Sequence, residues 1–224
     1  MTATLHVLRV FVDAHGEYGN RLGVFLDGSA VPPSARQSVA ARLGFSETVF
    51  VDDARTGRIR IFTPVSELPF AGHPTVGTAW LLADVGMPVD ELHVPAGTIP
   101  TWTEGDRRWI RARSEWVHPI TMAELPSAAA VEALEGPPPG ETSWYAWAWE
   151  DRATGGVRSR YFVTTLGIPE DEATGAAAVV LTSQLGRDLE IQQGRGSRLS
   201  TRLGSDGSVD LGGRVVLDET RPDG

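Results

Sequence analysis

Three side chains in this sequence stand where they could do acid–base chemistry: Glu47, His73 and Asp171. In the strand-like run Phe45-Ser46-Glu47-Thr48-Val49-Phe50-Val51, alternation puts Glu47 on one face with Phe45, Val49 and Val51. A carboxylate on an apolar face is poorly hydrated, so its pKa rises, and such a group can both take and return a proton. The competing reading is an edge-strand glutamate that points to solvent. His73 ends a tight loop punctuated by Pro69, Gly72 and Pro74, at the mouth of an apolar run. If that run is a helix, its first N–H groups are free and form a seat for an anion such as a carboxylate. His73 also fits a loop histidine satisfied by its neighbours. Asp171 precedes a second small-residue helix start, Ala173-Thr174-Gly175-Ala176, where it fits a helix N-cap or near-cap.

Several elements must position these groups. Leu5 to Asp13 alternates as a strand with Leu8, Val10 and Val12 on one face, and Leu22 to Asp27 is a second strand after a polar turn. Pro33 and Ser34 open a short helix through Leu43, with Ser34 as its N-cap and Gly44 closing it. Gly57 to Thr63 is the strand that feeds the His73 loop. From Val76 to Val85 the chain is nearly all apolar, and a helix apolar all round is a buried one. Short strands follow at 91–94, 98–103 and 107–113, and a boundary near Ser114 to Pro119 divides the chain into residues 1–113 and 114–224. Beyond it come a helix at 127–134 and a rigid exposed link, Gly136-Pro137-Pro138-Pro139-Gly140. The aromatic strand 143–150 follows, with Tyr145, Trp147 and Trp149 on one face and Trp144 on the other. These aromatics read as core or subunit-interface packing ahead of a substrate wall. Val157 to Val163 is a further strand. Strands at 189–194, 197–203 and 208–217 close the chain, with a hairpin turn at Ser205-Asp206-Gly207 and a polar, loose tail from Glu219.

The chain nearly repeats itself. Arg60-Ile61-Phe62 leads into the His73 loop and its helix, and about a hundred residues on Arg160-Tyr161-Phe162 leads into Glu170-Asp171 and the Thr174-Gly175-Ala176 helix start. Two copies imply two similar lobes, each wrapped on its own buried helix, with both helix N-termini facing a shared cleft. The pattern is that of an α+β protein.

Composition removes whole classes of chemistry. With no cysteine in 224 residues there is no disulfide frame, thiolate metal site or thiol proton carrier. Lysine is also absent, so a Schiff-base mechanism within this chain is excluded. The five histidines show no metal-ligand spacing, and no nucleotide-binding loop is present. A net charge of −9 argues against a nucleic-acid partner, and no apolar run reaches the length of a membrane helix. The first residues lack a secretory pattern, so the expected location is cytoplasmic.

The stretches Gly19-Asn20, Ser46-Glu47-Thr48-Val49-Phe50-Val51, Ile61-Phe62-Thr63-Pro64 through Gly72-His73-Pro74-Thr75, Gly167-Ile168-Pro169-Glu170-Asp171 with Ala173-Thr174-Gly175, and Gln193-Gly194 through Leu211-Gly212-Gly213 together resemble the PhzF family. That family is named for the phenazine-biosynthesis isomerase and has a diaminopimelate-epimerase-like fold. The resemblance implies two pseudo-repeated lobes, each a strand barrel around a central buried helix, with the active site between them. It implies that Glu47 moves a proton from one substrate carbon to another, while His73 and Asp171 hold and polarise the substrate. It further implies that Gly72, Pro74, Thr75, Thr174, Gly175 and Ala176 form the substrate-binding mouths of the two helices. A homodimer, a small-molecule substrate and no cofactor or metal complete the expectation.

Two departures from the family pattern stand out. Ala176 occupies a position where the family usually has serine, which removes one hydroxyl donor, and Glu172 places a charge where a proline or small apolar residue is common. The second lobe is also shortened between Trp116 and Tyr161. The leading expectation is a cofactor-independent isomerase acting on a small, cyclic, carboxylate-bearing substrate. The alternatives are a member that binds a small molecule or partner without turnover, and a cyclase or epimerase of a natural-product pathway.

Overall fold

The apolar run after His73 forms a helix, α2 (Gly72–Asp84), and ten of its thirteen residues are buried. It starts four residues earlier than its apolar core, so His73 and Pro74 lie in its first turn, where proline's missing N–H costs nothing. Thr75 and Thr78 are fully buried there because each hydroxyl donates one turn back, to the Ala71 and Pro74 carbonyls, at 2.7 Å. In this computed structural model residues 3–164 and 168–223 are described.

Around α2 the first half builds a barrel. Its strands are β1 (Ala3–Val12), β2 (Asn20–Phe25), β3 (Glu47–Asp53), β4 (Arg58–Phe62), with β5 (Glu67–Leu68) beside it, β6 (Glu91–Val94), β7 (Gly97–Glu104) and β8 (Arg107–Ala112). The second half supplies β9 (Thr121–Glu124), α3 (Ala128–Glu132), β10 (Trp144–Asp151), β11 (Gly156–Val163), β12 (Ile168–Asp171), α4 (Gly175–Leu185), β13 (Leu189–Gln193), β14 (Ser197–Leu203) and β15 (Val209–Asp223). The order β1-β2-β3-β4-β6-β7-β8-β15 returns to β1 through the β1–β15 pairing, which gives a closed eight-strand ring. Its wall approaches α2 so closely that a Cβ on Gly77 would lie 2.6 Å from Leu22 and 2.7 Å from Val10. The fold is thus mixed α/β with one closed barrel. The other strands run β15-β14-β13-β11-β10-β9 with α4 packed on β14 and β15, and among the described residues no pairing joins β9 back to β8. Closure is therefore found for one of the two expected barrels, and residues 113–120 connect β8 to β9 without adding a strand.

Outside the barrel, α1 (Pro33–Leu43) covers β3 and β4 over a stacked Phe25–Phe50 pair at 5.1 Å. Pro32 is the N-cap and Pro33 the first helical residue, so Ser34 does not cap as expected; proline's fixed φ suits the first turn and sets the start two residues earlier. Gly44 closes the helix in the left-handed conformation at φ +67°. Phe45 packs in this outer cluster with Phe50, on the opposite side from Val49 and Val51. The strand ladder begins only at Glu47, so alternation does not extend back to Phe45.

The polar tail is not loose. β15 runs through Asp223, and Glu219 to Asp223 pair with Val7 to Ala3 of β1. Ladder hydrogen bonds need only backbone, so polar side chains do not prevent the pairing, and Arg42 clamps Asp223 at 2.7 Å. Deleting residues 218–224 is expected to cost about 2 kcal/mol or more, from several lost ladder bonds and the uncovering of Leu5 and Val7. Thermal unfolding would read this as a fall of about 4–8 °C.

The halves share local devices. Asp53 Oδ1 accepts from the Arg55 amide and Asp151 Oδ1 from the Ala153 amide, both at 2.9 Å, in the turns before β4 and β11. Gly57 and Gly155 end those turns with positive φ, and their carbonyls accept from His93 and Glu190 at 2.8 and 3.0 Å. Arg60 grips Glu67 with two bonds, and Arg160 grips Glu170 in the same way.

Candidate active site

The two helices meet at their first turns. A Cβ on Gly72 would lie 2.8 Å from the Gly175 backbone, and one on Gly175 would lie 3.0 Å from Gly72 Cα. Only glycine at both positions allows backbones this close. Neither helix has a side-chain N-cap: Ala71 has no polar side chain, and Thr174 gives its hydroxyl to Asp171 Oδ2 instead. First-turn N–H groups of both helices are therefore left without a capping side chain, side by side.

Beside this junction lies a cavity of about 270 Å³. Glu47 enters it from the start of β3, Asp171 from the end of β12, and Thr174 and Ala176 from the start of α4. Phe70, Ala71, Val117, Pro119 and Ile120 give it apolar walls, and His118 lies in the same lining segment. His73 sits behind Glu47, 97% buried, with Nε2 3.4 Å from Glu47 Oε2. That contact falls outside hydrogen-bond geometry, and both atoms are buried without a hydrogen-bond partner. Gly72 and Gly175 form the helix junction, while Pro74 and Thr75 are turned into the protein interior. Glu172, expected beside the site, is turned outward and accepts from the Arg195 amide at 3.0 Å and its Nε at 3.2 Å.

Burial sets the electrostatics. Glu47 is raised to about 8, chiefly by loss of hydration and next by the charge of Asp171, with a hydrogen bond to Ser46 opposing. Asp171 is raised to about 6, again by burial first, with bonds from Thr174 and Asn20 pulling it down. His73 falls to about 3 through burial, so its imidazole is neutral at physiological pH and faces a protonated carboxyl rather than forming an ion pair. Between about pH 6 and 8, Asp171 carries charge and Glu47 holds a proton, so the pair shares one negative charge.

A polar network fixes this arrangement. Asn20 Nδ2 donates to Asp171 Oδ1 at 2.6 Å and to the Ala173 carbonyl at 3.1 Å, while Ser46 donates to Asn20 Oδ1 at 3.0 Å. Gln193 Nε2 donates to the Asp171 carbonyl at 2.9 Å, and its Oε1 accepts from the Thr174 amide at 3.1 Å. Asn20 and Gln193 sit in the stretches that carry the family resemblance, but their bridging role needs the fold to be seen. Tyr161 and Ser143, which also line the cavity, were not singled out as site residues; only the register of β10, β11 and β12 reveals them. Among the described residues no group of three or more His, Cys, Asp or Glu is placed to hold a metal ion, and no helix is long and apolar enough to cross a membrane.

The model of the PhzC-PhzF family, described as phenazine biosynthesis-like protein, matches residues 8–143. A trans-2,3-dihydro-3-hydroxyanthranilate isomerase of Pseudomonas fluorescens is 34% identical over 228 aligned positions, covering 83% of this chain and 82% of the relative. The chain belongs to the PhzC-PhzF family. An alignment of 228 positions that uses 83% of a 224-residue chain also means that this PhzC-PhzF member is the shorter partner within the aligned region. The fold agrees with a PhzF-family protein of Bacillus anthracis, at TM-score 0.80 and 20% identity, covering 100% of this chain and 99% of that one. A structure described as a predicted epimerase from Pseudomonas aeruginosa is 27% identical at TM-score 0.74, with 99% of each chain covered. The isomerase and epimerase names among these relatives support an isomerase or epimerase of this family.

Proposed function

We propose that this chain is a cofactor-independent isomerase that moves a proton between two carbons of a small, cyclic, carboxylate-bearing substrate. The observation that carries this reading is Glu47, a carboxyl raised to about 8 with an unpartnered oxygen, on a cavity beside two uncapped helix N-termini. The helix mouths, through the backbone of Gly72, Gly175 and Ala176, hold the substrate carboxylate. Glu47, once ionised, takes a proton from one carbon; the same carboxyl then returns it to another, so no net proton is gained or lost. Asp171 holds a polar or cationic substituent, and neutral His73 backs Glu47. The cited relative is named for trans-2,3-dihydro-3-hydroxyanthranilate, which makes that cyclic amino acid the first compound to test.

We also infer two pseudo-repeated lobes, residues 1–113 and 114–224, with β15 shared, because turn, arginine clamp and helix recur in the same order in both. A homodimer fits the shortened second lobe, whose open side at residues 113–120 a second copy would cover.

The test is proton exchange in deuterated water, read by NMR, with dihydro-hydroxyanthranilate and a panel of cyclic amino and hydroxy acids. Deuterium uptake or isomerised product that vanishes in Glu47→Gln is the expected result. Measurable binding without exchange would instead favour a non-catalytic binding member, the reading to which Ala176 lends weight; a ring-closed or stereo-inverted product would indicate the cyclase or epimerase alternative.

The Asp171 charge helps to raise Glu47, so removing it lowers the pKa of Glu47. Asp171→Asn is therefore expected to move the acid limb of kcat/KM, the limb on which Glu47 loses its proton, to lower pH, while the weakened site reduces the plateau. An unmoved limb would mean that the two acids are not coupled.

A further inference from the structure

The wall facing the acids carries two hydroxyls that this scheme leaves unused. In the antiparallel ladders of β11, Tyr161 pairs with Tyr145 on one side and Asp171 on the other. Residues opposite each other in such ladders share a face, so the phenol lies on the same side of the sheet as the Asp171 carboxyl. Ser143, immediately before β10, reaches the same phenol, with its Oγ 2.9 Å from the Tyr161 Oη. Both residues line the cavity. Tyr161 is 93% buried, and its phenol is raised by burial first, with the charges of Asp171 and Glu47 pushing the same way. It keeps its proton wherever the acids work. A serine–tyrosine pair has two O–H donors, and the bond within the pair uses one. The other is free to turn toward a ligand. The first turn of α4 offers no such donor at Ala176.

We propose that Tyr161, positioned by Ser143, reads an oxygen substituent on the substrate ring and so sets specificity for hydroxylated or carbonyl-bearing cyclic carboxylates. This rests on the cavity being the substrate site. A buried hydroxyl left unpaired by an analogue lacking that oxygen discriminates against it, and the Ser143 partner softens the discrimination without abolishing it.

Calorimetric binding of benzoate, 3-hydroxybenzoate, anthranilate and 3-hydroxyanthranilate tests the assignment. The protein is expected to bind each hydroxylated member about ten-fold more tightly than its parent, a ratio that corresponds to one net hydrogen bond. Tyr161→Phe removes that ratio while leaving the affinity for the parent acids, and Ser143→Ala reduces it. Because the chain has three tyrosines, 3-fluorotyrosine labelling supplies a second readout that needs no packing change. The 19F signal absent from Tyr161→Phe, or assigned by Tyr18→Phe and Tyr145→Phe if that variant fails to fold, should move with 3-hydroxyanthranilate and stay still with anthranilate. A hydroxyl preference that survives in Tyr161→Phe overturns the proposal, as does a Tyr161 signal blind to the hydroxyl, no preference in the parent protein, or no binding of any of the four acids. A Tyr161-dependent preference in a protein that exchanges no deuterium would overturn the isomerase reading and keep Tyr161 as a recognition residue.

Discussion

Glu47→Gln is expected to abolish proton exchange, by about 10²–10⁴-fold, and at the same time to make the protein more stable in mild alkali. The two effects share one cause. Glu47 titrates near 4.5 in the unfolded chain and at about 8 in the folded one. Between those values the folded state binds more protons than the unfolded state, so this group's contribution to stability declines as pH rises from about 4.5 to about 8. Above pH 8 the full cost of burying the carboxylate is present. Glutamine cannot ionise and escapes that cost, while His73 and Asp171 are present in both proteins and largely drop out of the difference. At pH 9 the variant should be more stable by about 2–4 kcal/mol, or about 4–16 °C in thermal unfolding, with the gap closing toward pH 5. Inactivity without this pH-dependent gain would mean that Glu47 is hydrated in solution, and the acid–base reading would lose its foundation.

The parts of this site that were legible in the sequence are the ones governed by local periodicity. Period-two alternation through Glu47, Val49 and Val51 put a carboxylate on an apolar face, and Glu47 is buried on that side. An aliphatic run marked α2, and Gly44 marked the end of α1, because burial and left-handed backbone are written in residue type. Arg60 and Arg160 stood at matching places in the sequence, and each clamps an acid, Glu67 and Glu170 respectively. What escaped depends on register and closure. Phe45 changed sides because the ladder begins two residues after it. Residues 219–223 looked free because their side chains are polar, yet their backbone completes the β1–β15 seam that closes the barrel. Tyr161 and Ser143 came to the cavity only when the strands were aligned, since no spacing in the chain says that positions 143, 161 and 171 converge.

Gly72→Ala is expected to be the most damaging single-methyl change near the site. Its Cβ would meet the Gly175 carbonyl carbon and Cα at 2.8 Å and the Ala176 amide at 2.9 Å. These are backbone atoms, so no rotamer change relieves the overlap. One helix must move, yet α2 is enclosed by a closed ring and α4 is packed on β14 and β15. Overpacking of this kind costs about 1–3 kcal/mol, only partly offset by the roughly 1 kcal/mol helix preference for alanine over glycine. The functional loss should be larger. Separating the helices carries Thr174 and Ala176 away from Ala71 and Glu47, and a displacement of about 1 Å between reacting groups can cost about 10²-fold in rate. Gly136→Ala is the control, because no atom lies within 4 Å of a Cβ there and its φ is ordinary. That variant should match the parent in both melting temperature and exchange rate. If Gly72→Ala did the same, the two helix mouths would not be held in fixed register, and a substrate carboxylate would have no rigid seat from which to present its carbon to Glu47.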